Sequence, residues 1–290
     1  MDGYIGATDA LRNPGDCGVV DGARMDRAGM GDVMGLGRLR TGAMALMVAM
    51  MAGQGVLVTP ALAVPAKPAP VKIHRASPVY VFDYSYPAVA GAIPGLRAWL
   101  LADAAKRQRE VAQGGREGKA DSRTADIPFM RYTHSTDWQV VTNLPRWLSL
   151  SATVSEFAGG AHPNHAFAAL LWDRQAGRAV KAVDLFTSPA ALNGVIRDKF
   201  CAALDKERGR RRGEPVVRSS EWPNNCIDPL ASTVILGSGD RAHFTRIGVL
   251  IAPYEAGSYA EGAFEVTLPV TPQMIAVVKP EYRDQFAPQP

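Results

Sequence analysis

Charge imbalance is what this sequence has least of. Across 290 residues, 32 lysines and arginines face 28 aspartates and glutamates, a formal net charge of +4. With the basic residues scattered, that excess is too small to argue for nucleic acid. Long apolar runs are also missing. Gly42–Val58 is rich in Ala, Met, Val and Leu, but Gln54 and glycines 42, 53 and 55 interrupt it, which makes it short for a spanning helix. No nucleophile elbow, phosphate loop or dinucleotide fingerprint is present. Cysteine is sparse, with three in the whole chain.

What is present at the N-terminus has the order of an export signal. Arg38 and Arg40 precede the apolar run, and Ala61-Leu62-Ala63 follows it as a small-residue exit, with Pro65 and Pro68 behind. A positive flank, a short apolar core and a small-x-small exit predict a cleaved signal peptide over residues 1–63, the competing reading being an uncleaved anchor. Met25, Met30 or Met34 would give a leader of ordinary length. Residues 64–74 are rich in Pro and Ala and read as an extended linker. With Cys17 in the leader, Cys201 and Cys226 remain. In an oxidising compartment that pair reads as a disulfide, against the alternative of two buried thiols.

Downstream, periodicity predicts elements in the order β-α-β-β-β-β-α-β-β-β-α. Tyr80, Phe82, Tyr84 and Tyr86 alternate on one strand, a stripe for a packed core or for stacking on sugars. A helix opened by Pro94 is expected to end near Gly114-Gly115, with residues 114–126 as a surface loop. In Trp147–Phe157, Leu148, Leu150, Ala152 and Val154 alternate with Ser149, Ser151, Thr153 and Ser155, the mark of an antiparallel strand with one wet face. Ser188 and Pro189 open a second long helix. Its end, Lys206–Arg212, is a dense basic run that reads as a solvated terminus complementing the helix dipole, or as a contact for an anionic partner. The fold class predicted is α+β, with antiparallel sheets and helices packed on one side.

Five stretches carry a family resemblance. Phe157-Ala158-Gly159-Gly160-Ala161-His162-Pro163-Asn164, then Leu171–Arg178, then Val183-Asp184-Leu185-Phe186, together with Pro253–Gly262 and Glu265–Pro269, resemble a tandem of bacterial envelope modules of unnamed function. The first module also stands in front of the catalytic domain of PdaC-type peptidoglycan deacetylases. The tandem forms the extracellular part of RsiV-type anti-sigma factors, which act as lysozyme receptors. The resemblance implies a first module over 75–180 and a second over 181–290, located in the periplasm or secreted. With no deacetylase domain read after the tandem and no sigma-binding domain before it, neither of those activities is expected to carry over.

These observations together favour a non-catalytic binding protein of the cell envelope. Its partner would be a cell-wall glycan or a lysozyme-like protein, with no nucleic acid and at most a peripheral membrane contact. No catalytic residue, metal or cofactor is assigned. Glu156, His162, Asn164, Tyr254, Glu255 and Tyr259 are the candidate binding residues. Glu156, His162 and His165 lie within ten residues of one another, but they flank a glycine turn and fit no strong metal spacing. The rival is a glycan hydrolase or deacetylase working with Glu156 and His162. His74, His134 and His243 look isolated.

Overall fold

The computed structural model describes residues 69–289, all within one compact unit. The leader expected over 1–63, with Cys17, lies outside these residues, as do residues 64–68 of the linker. Among the described residues no helix is long and apolar enough to cross a membrane.

The chain is α+β and builds two sheets. The first has six strands in sequence order: β1 (Val71–Ala76), β2 (Tyr80–Tyr86), β3 (Tyr132–Asn143), β4 (Trp147–Phe157), β5 (Asn164–Asp173) and β6 (Arg178–Val180). β1 corrects the linker expectation. The prolines at 65, 68 and 70 stop short of it, and Val71 and Ile73 alternate onto the core. All pairs in this sheet are antiparallel except β2 and β3, which run parallel because the helix α2 (Pro94–Thr124), preceded by the short α1 (Ala88–Gly91), carries the chain back between them.

α2 covers one face of the sheet. Leu96, Leu100 and Ala104 meet Phe82, Tyr84 and Tyr86, whose rings are at most 2% exposed. The aromatic stripe is therefore core, each ring contributing roughly 2 kcal/mol by burial. The Tyr84 hydroxyl is satisfied: Trp138 Nε1 donates to Tyr84 Oη (2.8 Å), which donates to Asp103 Oδ2 (2.8 Å), itself gripped by Arg107. Burial and the neighbouring Asp103 push the Tyr84 phenol far above its ordinary value.

α2 does not end at Gly114-Gly115. It continues to Thr124, and the glycines have a packing reason. A Cβ on Gly115 would sit 2.5 Å from the Val79 carbonyl oxygen, and one on Gly118 would strike the Tyr132 hydroxyl. They let the helix lie directly on β2 and β3, and tertiary contact outweighs the roughly 1 kcal/mol propensity cost of each.

The second sheet is smaller: β7 (Thr233–Gly237), β8 (Arg246–Ile251) and β9 (Phe264–Pro269), all antiparallel. It packs with α3 (Pro189–Arg212), whose Leu192, Ile196, Phe200 and Leu204 are fully buried. α3 starts as the sequence predicts, the Ser188 hydroxyl accepting from the Ala191 amide at 3.0 Å. The short α4 (Pro272–Ala276) and a 3₁₀ segment, Pro280–Gln285, follow, and Trp147 Nε1 donates to Gln285 Oε1 at 3.0 Å. A disulfide joins Cys201 of α3 to Cys226.

The basic end of α3 is not simply solvated. Arg208 is fully buried, donating to the carbonyl oxygens of Ala256 (2.8 Å) and Asn225 (2.9 Å) and to Asp205 (3.2 Å). Arg212 pairs with Glu261 at 2.8 Å and bonds Asn224 at 2.6 Å, and Arg211 lies 4.1 Å over the Phe264 ring. These cations clasp the two long loops, 213–232 and 252–263, onto the helix. Arg210 is the outward member, 70% exposed beside Glu207.

Candidate functional site

Chain parity divides the sequence-predicted residues between the two faces of the first sheet. On β4, Val154 and Glu156 point toward α2, while Thr153 and Ser155 point the other way. Glu156 pairs across to Asn164 and to His134, and it bonds His134, Nδ1 to Oε1 at 2.9 Å. His134 is 4% exposed, stacks on Phe82 and reaches Thr136 Oγ1 through Nε2 at 2.8 Å. The hydrogen bond from His134 holds the Glu156 carboxyl below the usual range. His134 is thus not isolated. Nor are His74 and His243, which pair with Asp83 (2.7 Å) and Asp240 (2.9 Å).

His162 belongs to a different group. Gly159 and Gly160, at φ +92° and +100°, turn the chain beyond β4 in a conformation that side chains resist. The turn delivers His162 onto Tyr259, ring centroids 3.8 Å apart and planes 20° from parallel. Tyr254 flanks the same imidazole at 6.2 Å, and His165 flanks Tyr259 at 6.2 Å. The polar atoms are ordered too. Pro163 O accepts from Tyr259 Oη (2.9 Å) and from His162 Nδ1 (3.0 Å), which places the proton of the neutral ring on Nδ1. His162 Nε2 is then left to accept from Tyr254 Oη at 3.3 Å.

The two tyrosines are held from behind. The 3₁₀ turn Tyr259–Glu261 is capped by Glu261 on the Ser258 amide (3.0 Å), and Glu261 is the residue Arg212 grips. Tyr254 has φ +71° and is 49% exposed. For a residue with a bulky side chain the left-handed region costs roughly 1–2 kcal/mol, a strain that collects at functional positions. Glu255, beside it, bonds Ser232 Oγ at 2.6 Å, and loss of solvent around its carboxyl pushes it above its ordinary value.

The structure therefore brings together His162, Tyr254 and Tyr259 and adds His165, while strand parity puts the side chains of Glu156 and Asn164 on the opposite face of the sheet from His165. A joint acid–base role for Glu156 and His162 has no geometry here. Among the described residues no group of three His, Cys, Asp or Glu is placed to hold a metal ion. Asp173, the other carboxylate near the turn sequence, is taken by Arg146 (2.7 Å) and by the amides of Gln175 and Ala176.

Residues 73–165 match the family model described as deacetylase PdaC. No curated protein matches the chain. Two of the solved structures that the chain resembles are the following. One is a member of the DUF3298 family from Bacteroides fragilis, at 14% identity over 69% of this chain and 88% of that one, with a TM-score of 0.42. The other is a DUF3298 family protein from Pseudomonas aeruginosa, at 13% identity over 77% of this chain and 98% of that one, with a TM-score of 0.43.

Proposed function

We propose that this is a secreted, non-catalytic recognition protein of the cell envelope, and that it binds cell-wall glycan at the His162–Tyr254–Tyr259 cluster. The match to the PdaC family model and the Cys201–Cys226 disulfide agree with an envelope setting. The observation that carries the binding role is the strained, half-exposed Tyr254 stacked with His162 and Tyr259. Aromatic faces with polar rims suit sugar rings, which present an apolar C–H face and a hydroxyl edge. Rigid tyrosines also give contact area at little cost in side-chain entropy.

The test is co-sedimentation of the purified protein with insoluble peptidoglycan, alongside the Tyr254→Ala and Tyr259→Ala variants and a parallel pull-down on lysozyme. Retention by peptidoglycan that falls at least tenfold in both variants supports the assignment. Capture by lysozyme alone, or by neither, defeats it.

A further inference from the structure

The outer face of the six-stranded sheet, away from α2, deepens that reading and rests on it. Register places His74, Asp83, Ser135, Ser155 and His165 side by side on five successive strands. The adjoining row is Lys72, Ser85, Asp137, Thr153 and Phe167. Every one of these residues is exposed or half-buried. Two sides of this floor are walled. β7 crosses it, Thr233 Oγ1 donating to Phe167 O of β5 (3.1 Å) while Gly237 lies against Val141 of β3. At the β5 corner, His165 stacks on Tyr259 and so joins the floor to the aromatic cluster.

The floor's chemistry selects its occupant. The two rows hold two carboxylates and one ammonium, the wrong sign for a polyanion and too little for a polycation. The hydroxyls of Ser135, Thr153 and Ser155 are not engaged by other described side chains, and Ser135 and Thr153 stand directly beside acids already fixed: Asp83 by His74 (2.7 Å), Asp137 by Ser85 and by Gln139 (2.7 Å). A row of hydroxyls and oriented carboxylates ending in an aromatic corner matches a neutral polyol with an apolar ring face. Four interstrand spacings of about 4.8 Å make the row about 19 Å long, which fits an oligomer better than a single sugar.

The geometry points to a neutral glycan strand lying across β1–β5, its hydroxyl groups bonded by Asp83, Ser135, Ser155 and Thr153 and one ring stacked at the His165–Tyr259 corner. Because the floor is open and shallow, affinity accumulates over several sugars and grows with chain length.

The experiment is calorimetric titration of the purified protein with N-acetylglucosamine oligomers of increasing length, using wild type, Ser155→Arg to obstruct the floor, Ser155→Thr as its conservative control, and Tyr259→Ala at the corner. Expected are affinity rising with oligomer length, a loss of at least tenfold in Ser155→Arg and Tyr259→Ala, and near-wild-type binding by Ser155→Thr. Amide shift mapping on the labelled wild-type protein does not depend on any variant folding. Oligomer should move the amides of residues 83–85, 135–137 and 153–155. If oligomer binds, Tyr259→Ala loses it, and neither Ser155→Arg nor the mapped amides respond, the floor is refuted while the aromatic cluster stands. If wild type binds no oligomer, this proposal fails, and peptidoglycan co-sedimentation decides separately whether the cluster's role survives.

Discussion

Tyr254 and His162 are 92 residues apart in sequence, yet Tyr254 Oη lies 3.3 Å from His162 Nε2 and the rings stack at 6.2 Å. The contact is made from a backbone at φ +71°, where a bulky residue is strained. Stability and recognition should therefore part company at this position. Tyr254→Gly removes the strain as well as the ring, so it should melt no lower than wild type and up to about 1 kcal/mol more stable. Tyr254→Ala keeps the strain and should be less stable than Tyr254→Gly by a similar margin. Peptidoglycan retention should collapse in both. Thermal melts beside co-sedimentation check this, and a Tyr254→Gly protein clearly less stable than Tyr254→Ala would contradict it.

Two helical glycines should respond oppositely to alanine. Gly194 on α3 has no atom within 4 Å of a built Cβ, so Gly194→Ala should stabilise by about 0.5–1 kcal/mol through helix propensity. Gly115 on α2 would press its Cβ to 2.5 Å from a backbone oxygen. Gly115→Ala should destabilise by about 1–3 kcal/mol despite the same propensity gain. Urea melts of the two variants make the comparison, and stabilisation by both would remove the close-approach account of α2.

That contrast shows what the sequence could and could not convey. β4 was legible over its full length because apolar and hydroxyl residues alternate, although both faces are buried over Trp147–Leu150 and one face opens only beyond them. The end of α2 was not. Glycine at 114, 115 and 118 signals a break by local propensity, and the compensating contacts with Val79 and Tyr132 exist only in three dimensions. The basic run at 206–212 misled in the same way, since nothing local says that Arg208 reaches the carbonyl of Ala256. Parity along β4 and β5 did hold the information that Glu156 and Asn164 face away from Ser155 and His165. Proximity in sequence obscured it. The pairing of Tyr254 and Tyr259 with His162 depends on how the second sheet docks against β5, which no local pattern encodes.

The disulfide should matter mainly to the 213–232 loop and to overall stability. Cys201 and Cys226 close a loop with a sequence separation of 25, and on the chain-entropy model such a link contributes about 3 kcal/mol. The Cys201→Ser/Cys226→Ser double variant should lose about that much in denaturant melts. Since Arg212 also reaches Asn224 on the same loop, Glu261 and the tyrosine turn should remain in place, and glycan retention should change by less than threefold. An unchanged melting midpoint would show that the clasping arginines suffice without the bond.

Acid should unfold the hairpin of β5 and β6 through Asp173. Its side chain is 3% exposed, and burial alone would raise its pKa. The Arg146 guanidinium and the amides of Ala176 and Gln175 outweigh that and hold the carboxyl below its ordinary value of 3.8. A depressed folded-state value means stability that is complete above the unfolded pKa and is lost as pH falls through the folded one. Wild type should therefore hold its melting temperature from neutral pH down to about pH 4 with respect to this group, then lose stability steeply below it. Asp173→Asn keeps the shape but leaves Arg146 without a counter-charge, and should cost about 2–4 kcal/mol at pH 7. The gap between the two proteins should narrow as pH drops below 4, because protonated aspartic acid resembles asparagine. A gap that stays constant from pH 7 to pH 2 would mean that the charge on Asp173 contributes nothing and that only its hydrogen-bond geometry holds the turn.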